Sequence, residues 1–155
     1  MFEFPKEPKK IRARIRRYER KLRKEYEATG FYSDGYGKRY LLGPLYLLMG
    51  DLDGALKSYE WFAQTFPDDI GDPVQYLCWA LALYRSGNLA EATLKLRQAM
   101  LSNLHLLPRL LGIEQDELDI GYYSNLFQKE DVEYIPPEIW ALSGIGVSRN
   151  DVRVA

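Results

Sequence analysis

Gly50–Ala55 has the sequence GDLDGA, and Gly87–Ala92, which begins 37 residues further along the chain, has the sequence GNLAEA. Each stretch follows an apolar segment with helical periodicity and precedes another such segment. Glycine relaxes the backbone and ends helices. The two stretches therefore predict the turns of two helical hairpins, and their regular offset lies within the range of helical-repeat proteins.

Small residues flank both predicted turns at matching distances. Seven residues before each turn glycine lies Gly43 or Ala80, and five residues after it lies Ala55 or Ala92. Small side chains let two antiparallel helices approach closely, so the pattern predicts tight contact within each hairpin. Larger residues nine positions after the glycines are expected to fill the gaps between turns: Tyr59 and Leu96.

The segment from Arg39 to Asn103 is predicted to be helical almost throughout. Glycine and proline interrupt it at Met49–Gly54, Phe66–Pro73 and Ser86–Leu89, which leaves four helices of roughly 10–16 residues. Pro44 lies within the first of these helices. Because proline lacks an amide hydrogen, it is expected either to kink that helix or to mark its true beginning.

The 155 residues, 18.0 kDa, are predicted to form one domain. Residues 1–30 form a basic N-terminal helix, and residues 31–38 form a loop rich in glycine and tyrosine. Residues 39–104 form the two hairpins, and residues 105–143 form C-terminal helices or a degenerate repeat. Residues 144–155 are predicted to be a tail.

The paired hairpins resemble the tetratricopeptide repeat family. The resemblance implies an all-α fold in which antiparallel hairpins stack as a short solenoid, with the basic N-terminal helix as a cap. The chain departs from the family pattern at Pro44, Phe62 and Leu104, and a degenerate third unit over residues 105–136 remains open. The matching residues are Leu42, Gly43, Tyr46, Gly50, Ala55, Tyr59 and Pro67 in the first unit, and Ala80, Leu83, Gly87, Ala92, Leu96 and Ala99 in the second.

The resemblance also implies a concave groove formed by the first helix of each hairpin. Such a groove receives peptides or helices, and its apolar lining here suits an amphipathic helix. Its occupant could be the protein's own first helix, a partner protein or a second copy of the chain. The function predicted first is thus a non-catalytic protein–protein interaction module, an adaptor or scaffold. The predicted lining residues are Tyr40, Leu47, Leu48, Leu77, Leu81, Tyr84 and Arg85.

The charges are distributed unevenly although the net charge is only −1. Residues 1–40 carry 13 Lys/Arg and 6 Asp/Glu, whereas the remainder carries 8 and 16. A helix over about 8–26 places Ile11, Ile15, Tyr18, Leu22 and Tyr26 on one stripe and basic residues on the other faces. Those candidate anion contacts are Arg12, Arg14, Arg16, Arg17, Arg20, Lys21, Arg23 and Lys24.

Three interpretations of this basic helix remain open. Its side chains can pair with the acidic half of the protein, contact RNA or the ribosome, or face an acidic membrane surface. Binding of RNA or the ribosome through this helix is the alternative function. A membrane partner is not expected, since the apolar stripe lacks Trp and Phe.

The sequence contains no residue pattern typical of a catalytic site, a metal site or a cofactor-binding site. Cys78 and His105 are the only residues of their types, which excludes an intramolecular disulfide and cysteine- or histidine-rich metal sites. The acidic residues cluster in turns, where carboxylates cap helices. We therefore expect no enzyme activity, and the lack of a signal peptide or an apolar run of 18 residues predicts a cytoplasmic protein.

Overall fold

A computed structural model describes residues 3–116, 126, 128–133 and 135–144, and this part of the chain is all-helical, without strands. The all-α fold class is confirmed. The helices pack on one core, to which residues from Phe4 to Trp140 contribute. The eight helices of the described part are α1 (Pro8–Thr29), α2 (Lys38–Leu48), α3 (Leu52–Thr65), α4 (Pro73–Arg85), α5 (Leu89–Ser102), α6 (Leu106–Leu111), α7 (Lys129–Glu133) and α8 (Pro137–Leu142).

The two predicted hairpins are present as α2–α3 and α4–α5. Their helices have 11, 14, 13 and 14 residues, within the predicted range. Helices α3 and α5 begin 37 residues apart and end 37 residues apart. Packing of α4 against both α2 and α3 joins the two hairpins.

The two hairpin turns repeat the same backbone geometry. Gly50 and Gly87 have φ of 78° and 85°, in the left-handed region that glycine adopts without strain. In the first turn the amides of Gly50 and Asp51 donate to the carbonyls of Leu47 and Tyr46, at 3.0 Å each. The equivalent bonds of the second turn are also 3.0 Å: Gly87 N to Tyr84 O, and Asn88 N to Leu83 O.

The residue after each turn glycine caps the second helix. Asp51 Oδ1 accepts from the amide of Gly54 at 2.8 Å, and Asn88 Oδ1 accepts from the amide of Glu91 at 3.3 Å. A side-chain oxygen at this position satisfies an amide that has no partner within the helix. The sequence repeat is thus also a repeat of hydrogen bonds.

Gly43 provides the close approach that the sequence predicts for the first hairpin. A Cβ at this position would lie 2.2 Å from Cε1 of Tyr59 on α3. Tyr59 is 1% exposed, and its ring stacks on that of Trp79 on α4, with centroids 5.0 Å apart. The contact therefore links α2, α3 and α4.

Pro44 lies inside α2 and does not mark its beginning. The helix starts at Lys38, six residues earlier, and Pro44 is fully buried. Because Pro44 lacks an amide hydrogen, the carbonyl of Tyr40 cannot receive the usual helical bond from it.

Helix α1 begins at Pro8, as the periodicity predicts, extends three residues beyond the predicted end at about residue 26, and packs on α2. Its apolar stripe is buried at Ile11, Ile15 and Leu22, which are 3–4% exposed. Tyr26, at the end of the predicted stripe, is instead 50% exposed. The helix ends at Gly30, whose φ is 76°.

The described helices after Ser102 are short, with five or six residues each. Two contacts tie this region to the hairpins: Leu104 N donates to Leu126 O, and Asn103 Nδ2 donates to Gln128 O, at 2.9 Å each. The sequence also predicts a helix over residues 122–129, and most of this segment and of the predicted tail over 144–155 lies outside the described residues. No helix of the described part is long and apolar enough to cross a membrane.

Candidate binding surfaces

Helix α1 carries the basic residues that the sequence predicts as anion contacts. Arg14 is half-buried, and its guanidinium donates to the carbonyl of Glu3. Seven others are exposed, and within the described part of the chain none of the seven forms an ion pair with a carboxylate. These seven are Arg12, Arg16, Arg17, Arg20, Lys21, Arg23 and Lys24.

Helical spacing arranges many of these side chains in one row. Residues three and four positions apart are neighbours on a helix surface. The row has steps of three, four, four and three, and it spans about 21 Å at 1.5 Å per residue. We call it the basic row, and its members are Lys9, Arg12, Arg16, Arg20 and Arg23.

A groove of about 500 Å³ lies beside the C-terminal half of α1, between that helix and α3. Four aromatic residues are part of its lining: Tyr26, Tyr32, Tyr46 and Trp61. Arg23, the last member of the basic row, also lines it. The basic row and the groove are therefore continuous. We refer to this cavity as the aromatic groove.

Three of the four rings in the aromatic groove, those of Tyr26, Tyr32 and Trp61, form a connected cluster with the neighbouring Phe66. Tyr32 stacks on Tyr26 with centroids 4.9 Å apart, and it contacts Trp61 and Phe66 edge to face at 5.7 and 5.4 Å. Tyr26 contacts no other ring of the described part. Since Tyr26 is half-exposed, the cluster presents an aromatic side chain to solvent.

Two glutamates of α1 hold the neighbouring elements in place. Tyr46 donates its hydroxyl hydrogen to Glu19, and burial together with this carboxylate raises the pKa of Tyr46. Glu25 accepts from the hydroxyl of Ser33 and from the amide of Asp34. The bond from Ser33 is the main cause that lowers the pKa of Glu25. The bonds to Glu25 fix the 31–38 loop against α1, and the bond to Glu19 joins α1 to α2.

The loop before α2 is also joined to the loop before α4. Asp34 is buried and accepts from the amides of Lys38 and Arg39 at 2.9 Å each. Arg39 bonds to Asp69 at 2.9 Å, and Tyr40 donates its hydroxyl hydrogen to the same carboxylate. Burial, and then the bond to Asp69, raise the pKa of Tyr40. Tyr40, a predicted groove residue, is thus part of a structural network.

The other residues of the predicted groove differ in how far their side chains are exposed to solvent. Leu47 and Leu77 are 2% and 1% exposed, so neither offers surface to a partner in this conformation. Leu48 and Leu81 are half-buried against the core. Tyr84 is 65% exposed, and Arg85 is exposed but donates to the carbonyl of Leu142.

The chain's own C-terminal segment covers the face that α2 and α4 share. Helix α8 packs on both helices, and its Ile139 is 0% exposed. At the other end of α4, a cavity of about 670 Å³ is lined by Phe4, Val74 and Ile135 among others. Residues 131–133 and 135–142 therefore extend along α4 from its beginning to its end. The first helix, the occupant considered from the sequence, packs on α2 beside this segment instead.

The residues considered for catalysis occupy structural positions. Cys78 is 0% exposed, and burial raises the pKa of its thiol, which disfavours the reactive thiolate. His105 Nδ1 lies 2.9 Å from Oε1 of Gln115. Among the described residues, no three His, Cys, Asp or Glu side chains form a group that could hold a metal ion.

Sequence reasoning missed the aromatic groove because the rings that contact one another in it come from three separate elements. Tyr26 belongs to α1, Tyr32 to the loop, and Trp61 to α3. Helical periodicity places residues on one helix but does not bring a loop residue to it. The only available signal was the adjacent pair Phe31 and Tyr32 in a loop otherwise rich in glycine.

No protein-family model, curated protein or solved structure matches this chain.

Proposed function

We propose that this chain is a non-catalytic helical-repeat protein that binds nucleic acid through α1. The observation that carries the proposal is the set of seven exposed basic side chains on α1 without an ion pair in the described part of the chain. Guanidinium and ammonium groups bind phosphate, and their density along one helix matches the repeated charge of a nucleic-acid backbone. Residues 41–155 carry an excess of negative charge, which repels a polyanion, so α1 is the surface that attracts one.

The burial of the apolar stripe favours nucleic acid over a membrane surface as the partner. An interfacial helix inserts its apolar face among lipids. Here Ile11, Ile15 and Leu22 are already 96–97% covered by the protein. The basic faces are what α1 presents to a partner, and these faces suit a soluble polyanion.

The proposal predicts that charge reversal on the basic row removes binding. The test compares the wild type with the triple variant Arg12→Glu, Arg16→Glu and Arg20→Glu, by fluorescence anisotropy with a labelled 12-nucleotide RNA over a range of salt. For single strands, each phosphate contact contributes about 0.7 to the steepness with which the logarithm of the binding constant falls against the logarithm of the salt concentration. Three lost contacts should therefore reduce the magnitude of this slope by about 2. Wild-type affinity should fall steeply with salt.

A matched control changes the same number of charges elsewhere: Arg97→Glu, Arg109→Glu and Lys129→Glu, all at exposed positions. This variant should keep most of the affinity, because these residues lie outside α1. Equal losses in both triple variants would mean that only net charge matters and would contradict a site on α1. Displacement of the RNA by an equal charge of polyglutamate would instead indicate an acidic protein as the ligand.

A second candidate function, protein–protein interaction, is favoured by the exposed apolar side chains of α5 and its neighbours. Leu94 and Leu101 are 49% and 74% exposed and lie seven residues apart on one face of α5. Helix α6 contacts α5, and Leu111 at its end and Ile113 after it are 51% and 56% exposed. In a tetratricopeptide-like array, which the repeated hydrogen bonds support, another repeat would cover the last helix. A second copy of the chain is the proposed occupant. Light scattering tests it: a mass of twice 18.0 kDa supports self-association, and 18.0 kDa contradicts it.

A further inference from the structure

We infer that the aromatic groove between α1 and α3 receives unpaired bases, so that the nucleic acid bound is single-stranded. This inference rests on the proposed function and specifies its ligand. It combines the exposed ring of Tyr26, the half-buried rings of Tyr32 and Trp61, and the continuity of the groove with the basic row.

Tyr26 provides the accessible ring. It is 50% exposed, although its position continues the buried stripe of α1. Its contact with Tyr32, with an interplanar angle of 26°, supports the ring from within the protein. A ring held on one side and open to solvent is suited to stack with a nucleobase, and any base offers such a surface.

Paired bases cannot use this site. In a duplex, each base face is covered by the neighbouring base pairs, and an RNA helix presents phosphates, hydroxyls and base edges. Proteins that recognise single strands stack the exposed bases on aromatic side chains. The exposed aromatic surface beside α1 therefore adds to affinity only when bases are free.

The charges around the aromatic groove favour binding of a base in the groove and of the strand's phosphates on the basic row. Arg23 and Lys57 line the groove, but so do Glu19 and Glu27. The two carboxylates repel phosphates, which keeps the backbone of a strand on the basic row. An uncharged base is not excluded in this way, so the groove suits the base and the row suits the backbone.

The test uses a 12-nucleotide oligouridine, an abasic 12-mer with the same phosphates and a 12-base-pair RNA duplex. Wild-type protein should bind oligouridine about fivefold to 150-fold more tightly than the abasic strand, which is the contribution of one stacked base. Tyr26→Leu should remove that preference, because leucine keeps the apolar contact with Tyr32 but has no ring. Tyr26→Trp should retain it.

Tyr84→Leu is the matched control, since Tyr84 is also exposed but lies on α4. It should bind oligouridine as the wild type does. Binding should also quench tryptophan fluorescence, and Trp61→Phe should abolish the part of the quenching that comes from the groove. Urea unfolding of each variant identifies any change that results from misfolding.

The outcomes separate the inference from the proposed function. Equal wild-type affinity for oligouridine, the abasic strand and the duplex, lost in the Arg12, Arg16 and Arg20 variant, would overturn the inference but support phosphate binding by α1. If Tyr26→Leu binds oligouridine as tightly as the wild type does, the inference is likewise overturned, while phosphate binding by α1 is still supported. No salt-dependent binding of any of the three probes would overturn both.

Discussion

The first hairpin depends on the absence of a side chain at Gly43. The ring of Tyr59 occupies the space where a Cβ would lie, with Cε1 at 2.2 Å and Cζ at 2.3 Å from that position. The ring cannot easily move away, because it is buried and stacks on Trp79 at an interplanar angle of 6°. Such distances are far below van der Waals contact.

We expect Gly43→Ala to destabilise the protein. Alanine is favoured over glycine in helices by about 1 kcal/mol, but inserting a methyl group into a packed core typically costs about 1–3 kcal/mol. Because the added methyl group would overlap the ring of Tyr59, which has little room to move, the cost of inserting it should exceed the gain in helix propensity. Gly35→Ala is the control, since a Cβ at Gly35 meets nothing within 4 Å. Urea unfolding measures both, and an unchanged or higher free energy of unfolding for Gly43→Ala would show that the ring of Tyr59 can shift.

Helix α4 begins with a capping box that contains a buried carboxylate. Asp72 accepts from the amides of Val74 and Gln75 at 2.9 and 3.2 Å, and the side chain of Gln75 accepts from the amide of Asp72. Burial raises the pKa of Asp72 above 3.8, although the two backbone amides oppose this change. The carboxylate therefore caps the helix at a desolvation cost.

The raised pKa predicts the pH dependence of Asp72→Asn. Because the pKa is higher in the folded state than in the unfolded state, the contribution of Asp72 to stability is complete below its unfolded pKa and is lost as pH rises through its folded pKa. Asparagine keeps an oxygen acceptor without the charge. At pH 7 the free energy of unfolding of Asp72→Asn should be at least as high as that of the wild type. Any difference in favour of the variant should disappear below about pH 4.

Asp72→Ala is the comparison that isolates the cap itself. It removes the acceptor and should lower the free energy of unfolding by about 0.5–2 kcal/mol. Urea unfolding of the three proteins at pH 7 and pH 4 measures both effects. An asparagine variant as unstable as the alanine variant at pH 7 would show that the negative charge at the helix N-terminus outweighs its desolvation.

The hairpins could be predicted from the sequence because their signals are local. The turn at Gly50 and its equivalent at Gly87 are each determined by adjacent residues, and helical spacing between them fixes which faces are apolar. The stacked rings of Tyr59 and Trp79 were not predicted, since they join different hairpins. The same reason applies to the aromatic groove, whose rings meet only after α1, the loop and α3 have packed.

The contact between the segment that precedes α1 and residues 135–138 could not be predicted from periodicity. Phe4 is 7% exposed and lines a cavity with Ile135, and Lys6 lies 3.5 Å from Glu138. The basic charge of the first forty residues suggested pairing with the acidic remainder. Within the described part of the chain, the ion pairs between these two halves are made by Lys6, before α1, and by Arg39, in α2, and most basic residues of α1 are exposed to solvent.

The position of α8 predicts that the stability of the hairpins depends on the C-terminal segment. Ile139 is 0% exposed although α8 has only six residues, because the helix packs on α2 and α4. We expect Ile139→Ala to lower the free energy of unfolding by about 2–5 kcal/mol, as for other large-to-small core substitutions. Ile113→Ala is the matched control: Ile113 is 56% exposed, so its loss should change stability by less than about 0.5 kcal/mol. Urea unfolding followed by circular dichroism distinguishes them, and similar small effects of both substitutions would mean that α8 leaves the face of α2 and α4 open in solution.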